Sequence, residues 1–207
     1  MKFRRKSEPE VPAEETPDAA AEQAASPREG WPQDSAEVAE DEQLVDLGSL
    51  RLRQIPEREV RLQVDEQSGT VQAVLIVGPD GAVEVRAFAA PRNGDLWDDV
   101  RPQLAAETQR AGGQAAEREG RFGTELLCRR PATTPEGEEA VAPTRVVGIN
   151  GDRWLLRATF LGRPAVEEDT AEWDDTLAAV VVHRGTEAMP VGEALPLHLP
   201  PQARRAE

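Results

Sequence analysis

The sequence predicts an α+β fold over residues 44–200: an antiparallel sheet of about six or seven strands with two helices packed on it. Three observations carry this. Short runs of period-two hydrophobicity recur, two longer stretches switch to a period of three and four, and Gly, Pro, Asn and Asp punctuate the junctions. The clearest signal is residues 145–162, RVVGINGDRWLLRATFLG, which read as two strands around a tight turn. Asn150-Gly151 would supply the positive φ that a type I′ hairpin needs. Beyond it, Trp154, Leu156, Ala158 and Phe160 alternate with Leu155, Arg157, Thr159 and Leu161, so one face is apolar and the other mixed.

The remaining elements follow in order. Leu50, Leu52 and Ile55 suggest a short first strand closed by Pro56, and Val60, Leu62 and Val64 a half-buried second one. Residues 70–77, TVQAVLIV, are apolar and β-branched, which suits a strand. Gly78-Pro79-Asp80-Gly81 turns the chain into a returning strand, 82–89. There Val83, Val85, Ala87 and Ala89 face one way and Glu84, Arg86 and Phe88 the other. Trp97, Val100 and Leu104 recur at helical spacing, with Asn93 or Asp95 as cap and Asp98 and Asp99 at the positive end of the dipole. Pro102 conflicts with that helix, since it removes a hydrogen bond and favours a kink.

Residues 114–119 read as a weak strand and 121–130 as a stronger one. An acidic loop, TTPEGEEA, separates them from the hairpin. A second helix is expected to carry Trp173, Leu177, Val180 and Val181 on one stripe and to end near Gly185. The proline-rich stretch after Ala188 should wrap the domain, and residues 201–207 should fray. Both helices open on Trp-Asp-Asp after a hairpin. Trp packing on a sheet and Asp at a helix start account for that likeness without a true repeat.

Residues 1–43 hold five basic and twelve acidic residues and few large apolar groups, so they read as a disordered acidic tail with a basic tip, MKFRRK. Ser26-Pro27 and Thr16-Pro17 are candidate phosphorylation sites in it. Removing residues 1–43 is expected to leave the melting temperature unchanged. No apolar run follows the basic tip, so a cleaved signal is not expected, and no window is apolar enough to span a membrane. The net charge of −15 argues against nucleic acid and leaves the basic tip little attraction for a lipid surface. A single cysteine excludes an intramolecular disulfide framework, and the chain is expected to be cytoplasmic.

Catalytic and cofactor motifs are not found: no Gly-Lys-Ser/Thr, no G-x-G-x-x-G, and no catalytic, cofactor-binding or metal set is assigned. Cys128 lies mid-strand beside Leu126 and reads as core. His183 and His198 lack a second ligand nearby, and adjacent Asp residues on a helix point about 100° apart, which spoils a facing pair. Trp97, Trp154 and Trp173 read as core, whereas Trp31, alone in the acidic arm, is a docking or recognition residue. The candidate interaction patch is Glu84, Arg86 and Arg157 on the outer sheet face, together with Trp31.

The runs LVDLGSLRLRQIP, AFAAPRNGDLWDDVR, GGQAAEREGRFGTELL, RVVGINGDRWLLRATFLGRPA and VVVHRGTEAMPVGEALPLHLP resemble the actinobacterial family catalogued as domain of unknown function (DUF) 3710. The resemblance spans about residues 40–200 and implies no activity, cofactor or catalytic residue. The element order looks like the Mog1/PsbP-like sandwich, a likeness of architecture only. The expected function is thus a non-enzymatic cytoplasmic interaction or regulatory protein with an unknown protein partner. The alternative is a small-molecule binder or enzyme using an Arg/Asp/Glu cleft on the sheet.

Overall fold

A computed structural model describes residues 29–39, 42–92 and 94–200. Residues 1–28 with the basic tip and both phosphorylation candidates, the proposed cap Asn93, and residues 201–207 lie outside the described residues. The strands are β1 (Gln33–Asp34), β2 (Val45–Asp46), β3 (Leu50–Leu52), β4 (Glu59–Val64), β5 (Val71–Val77), β6 (Gly81–Ala89), β7 (Gln114–Gly120), β8 (Gly123–Thr133), β9 (Glu139–Gly151), β10 (Trp154–Gly162) and β11 (Val180–Val182). Helix α1 (Leu96–Arg110) separates β6 from β7, and α2 (Ala171–Ala178) separates β10 from β11.

The predicted α+β architecture is present, as a seven-stranded antiparallel sheet in the order β4-β5-β6-β10-β9-β8-β7. A second, four-stranded sheet, β1-β11-β3-β2, covers one of its faces together with α2. On this core face Val83, Val85, Ala87 and Ala89 of β6 meet Trp154, Leu156, Ala158 and Phe160 of β10, with Leu50, Leu52, Trp173 and Leu177 packed over them. The opposite face carries α1, whose Leu96 and Trp97 pack with Leu126, Cys128, Val146 and Leu155. Cys128 is buried there, as its mid-strand position suggested.

Helix α1 packs on β7, β8 and β9. Phe88 and Leu155, at one end of β6 and β10, also pack with the helix, but the rest of this face over β4, β5, β6 and β10 lies beside it, and Leu75, Val77, Glu84, Arg86 and Thr159 remain partly exposed. Helix α1 runs through Pro102 without ending. The proline sits on an exposed position, where the missing N–H is next to solvent.

Four expectations need correction. The turn between β9 and β10 is Asp152-Arg153, with Arg153 at φ 61, and Asn150-Gly151 ends β9. Packing overrides turn preference here. The Trp154 ring lies over Gly151, where a Cβ would come within 2.1 Å of it. Asn150 uses its amide on α1 instead: Nδ2 donates to Asp95 Oδ1 at 2.6 Å, and Oδ1 accepts from Trp97 N at 3.3 Å.

The second correction concerns α2, which stops at Ala178. Val180–Val182, assigned to its stripe, form β11 between β1 and β3, as suits three consecutive β-branched residues. Third, β4 is the exposed edge of the large sheet, with Val60 40% and Val64 38% exposed, so it is less buried than its alternation implied.

Finally, packed structure begins before residue 44. Strand β1 pairs with β11, Asp34 Oδ2 accepts from Trp154 Nε1 at 2.7 Å, and Trp31 stacks edge-on against Phe122 at 5.3 Å. A two-residue strand has no periodicity to read, and its apolar cover comes from residues remote in sequence. The unchanged melting temperature expected on removal of residues 1–43 no longer follows.

The proline-rich C-terminal stretch does wrap the domain. Ala89 N donates to Glu193 O, Leu195 N to Ala87 O, and His198 N to Leu47 O.

Candidate functional site

Two groups of charged side chains stand out, one on each face of the large sheet. On the core face, Arg145 occupies the same alternation in β9 as Val147 and Ile149, and is 1% exposed. A guanidinium taken out of water needs anionic partners. Arg145 Nη2 donates to Asp174 Oδ1 of α2, its Nε lies 3.3 Å from Glu125 Oε2 of β8, and its plane stacks 4.1 Å from the centre of the Phe160 ring.

Both carboxylates are further held. Arg118 Nε donates to Glu125 Oε1 at 2.7 Å, and Thr170 Oγ1 donates to Asp174 Oδ2 at 3.0 Å. Gly120 leaves the room Glu125 needs, since a Cβ there would fall 2.6 Å from Oε2. The Glu125 contact lacks hydrogen-bond alignment, so Arg145 Nε and Nη1 have no hydrogen-bond partner.

Outside this cluster opens a cleft of about 510 Å³, between the β7–β8 turn and the chain entering α2. Arg118, Arg121, Glu125, Thr170 and Asp174 line it, with Glu119, Glu168 and Asp169 at its walls. Arg121 spans the mouth, donating to Asp175 Oδ1 at 2.5 Å and to Gly30 O at 2.8 Å. Asp174 and Asp175 point to different partners, as expected for neighbours on a helix.

The second group is the predicted patch. Arg86 of β6 and Arg157 of β10 are directly opposite cross-strand partners, with Glu84 opposite Thr159 two pairs along, the next on this face. Such partners bring Cβ atoms within about 4.5–5.5 Å, and like charges so placed repel. Both guanidiniums lie over the Phe88 ring, at 5.4 Å for Arg86 and 5.0 Å for Arg157. Among the described residues neither makes a hydrogen bond or ion pair with another side chain, and Arg86 Nε is buried without a partner. Burial, and then the charge of Arg86, push the pKa of Arg157 below the usual arginine value, while Glu84 and Glu107 act in the opposite direction.

Trp31, the fourth predicted member, is not part of this patch. It packs on Phe122 and the core cluster, beside the first group. Sequence reasoning missed the first group altogether, although two signals were available. Arg145 alternates with core valine and isoleucine, and the tight β7–β8 turn pairs Arg118 with Glu125 by register. The remaining candidates are accounted for locally: His183 Nδ1 hydrogen-bonds Ser35 Oγ at 2.8 Å, and Thr108 Oγ1 lies 3.5 Å from Cys128 Sγ. Among the described residues, no three His, Cys, Asp or Glu side chains gather as metal ligands do.

The chain matches the family described as protein of unknown function (DUF3710) over residues 31–206. It belongs to this family. The match starts at Trp31, the residue that docks on Phe122. No curated protein matches the chain. Among solved structures, a crystal structure from Bacteroides thetaiotaomicron VPI-5482 at 1.50 Å resolution shares 14% identity with a TM-score of 0.38. That alignment covers 69% of this chain, which spans about half (48%) of the other protein. No helix among the described residues is long and apolar enough to cross a membrane.

Proposed function

We propose that this DUF3710 chain is a non-enzymatic cytoplasmic interaction protein that docks a protein partner on the open half of its large sheet. One observation carries the reading: Arg86 and Arg157 face each other across two strands, and among the described residues no carboxylate pairs with either. By contrast Arg53, Arg58, Arg61, Arg101, Arg118, Arg121, Arg145 and Arg163 all have one. Two half-buried like charges held in register cost stability, and a partner that places acceptors between them recovers it. The net charge of −15 is the reason that partner is a protein and not nucleic acid or an anionic membrane.

The test is a photo-crosslinking residue at Thr159, compared with one at the exposed Val166 on the far connection. In the native cell a discrete protein adduct is expected at Thr159 only, and Arg157→Gln should diminish it. Equal labelling at both positions, or none at Thr159, would reject the docking surface.

The cleft of about 510 Å³ supports a second reading, a small-molecule site lined by Arg118, Thr170 and Asp174. Its guanidiniums and carboxylates already satisfy one another, which leaves a ligand less to gain. A thermal shift induced by amino acids or nucleotides and lost in Arg118→Gln would favour this reading.

A further inference from the structure

We infer that β4 is a dimerisation edge, where two copies of this chain join their large sheets by pairing β4 antiparallel with β4 about a two-fold axis normal to the sheet at Leu62. The surface is distinct from the docking face above, which this pairing leaves open. Strand β4 ends the large sheet, and among the described residues only β5 pairs with it. One row of its backbone groups is therefore open to a further strand. The strand has no proline and no net charge, and the bulge beside it places the extra residue, Gln72, in β5, so β4 itself stays regular. Val60, Leu62 and Val64 alternate on its core-facing side. Leu62 packs partly against the core, while Val60 and Val64 stay 40% and 38% exposed, so the layer covering that face stops short of the edge.

The partner is a second copy because the strand complements itself in one register. Directly opposite residues share a face, so the two apolar sides coincide only when β4 is centred on a residue. Centring on Arg61 sets arginine against arginine, and centring on Gln63 sets Val60 against Glu66. Centring on Val60 carries Val64 past the start of β4, opposite Pro56. Centring on Leu62 sets Leu62 against Leu62, each Val60 against a Val64, and each Arg61 against a Gln63. At the two ends Glu59 then meets Asp65, but each carboxylate is already held: Glu59 by Arg61 at 2.8 Å, and Asp65 by the amides of Gln67 and Ser68. An axis normal to the sheet leaves each α1, over β7–β9, at an outer end of the joined sheet. It also sets the two Arg86–Arg157 pairs on one side of a continuous surface, about 30 Å apart at roughly 4.8 Å per strand.

The test is sedimentation of the full-length chain over a wide concentration range. A monomer–dimer equilibrium with Kd of about 10–100 µM is expected, as suits an interface at the small end of the size range. The charge of −15 on each copy opposes association, so added salt should tighten it. Val60→Lys and Val64→Glu, both at exposed positions, should each weaken the homodimer at least about tenfold and leave the melting temperature unchanged. Mixed in equal amounts, the two variants should form a heterodimer tighter than either homodimer, because one Lys–Glu pair and one intact Val–Val pair then face each other.

Cysteine substitution reads the register directly. Leu62→Cys lies on the axis, with Cβ atoms about 4.5–5.5 Å apart, and should give a disulfide-linked dimer on mild oxidation. Val64→Cys lies about 14 Å along the strand from its own copy and should not. The native Cys128 is buried and stays out of the reaction. A monomer at every concentration, a dimer that salt dissociates or that Val60→Lys leaves intact, or crosslinking through Val64→Cys and not Leu62→Cys overturns the pairing. A monomer that still gives an adduct at Thr159 rejects the edge pairing and leaves the docking surface standing, and a dimer with no adduct there does the reverse.

Discussion

The two faces of one sheet treat arginine in opposite ways. On the core face Arg145 is sealed between Glu125 and Asp174 and stacked on Phe160, so its charge is neutralised within the fold. On the other face Arg86 and Arg157 stand opposed over Phe88, without an anion in contact among the described residues. The first arrangement links β8, β9 and α2, and removing any member damages the structure that the others require. The second has no carboxylate partner among the described residues, and its two like charges are held side by side over one ring.

The largest expected effect breaks the core-face cluster. Arg145→Ala leaves Asp174 buried without a cation and Glu125 with Arg118 alone, and should cost about 3–5 kcal/mol in urea unfolding. A loss below about 1 kcal/mol would mean that water reaches the cluster and that it belongs to the cleft. Trp154→Ala on the same face should also cost about 3–5 kcal/mol, since it opens a cavity and removes the donor to Asp34 Oδ2.

On the helix-bearing face Gly148 lies under Trp97, where a Cβ would come within 2.1 Å of the ring. Gly148→Ala should therefore destabilise by about 1–3 kcal/mol through overpacking, read as a lowered melting temperature. Asn150→Ala should cost about 1 kcal/mol, because it removes the amide that ties the hairpin to the start of α1. At the smallest end, Arg157→Gln should change stability by no more than about 0.5 kcal/mol, or raise it, because a depressed pKa marks a folded state that disfavours the charge. A large loss there would erase the contrast between the faces.

How much of this was legible in the sequence follows from the same physics. The strands of the large sheet were readable because each buries one side, so Val83, Val85, Ala87 and Ala89 or Trp154, Leu156, Ala158 and Phe160 announce their own face. Arg86 and Arg157 were readable as outward for the same reason. Arg145 was not, because the alternation that places it inside contradicts its charge, and only the distant Asp174 and Glu125 resolve the contradiction. Val180 and Val181 were ambiguous between helix and strand because a short buried apolar run has no period to tell them apart. Asn150-Gly151 has turn chemistry but is used for contact: one residue binds a helix and the other makes room for an indole.

One consequence of the parallel pairing of β1 with β11 concerns the order in which the molecule completes itself. Gln33 and Asp34 meet Val181 and Val182, near the other end of the chain, and Ser35 reaches His183 across a separation of 148 positions. Contacts this remote form late, since closing so long a loop is entropically costly before any local gain offsets it. During synthesis the first strand would have to wait for nearly the last. Until Val180–Val182 emerge, β3 has only the two-residue β2 to pair with, and the nascent chain holds its apolar layer open to chaperones and proteases.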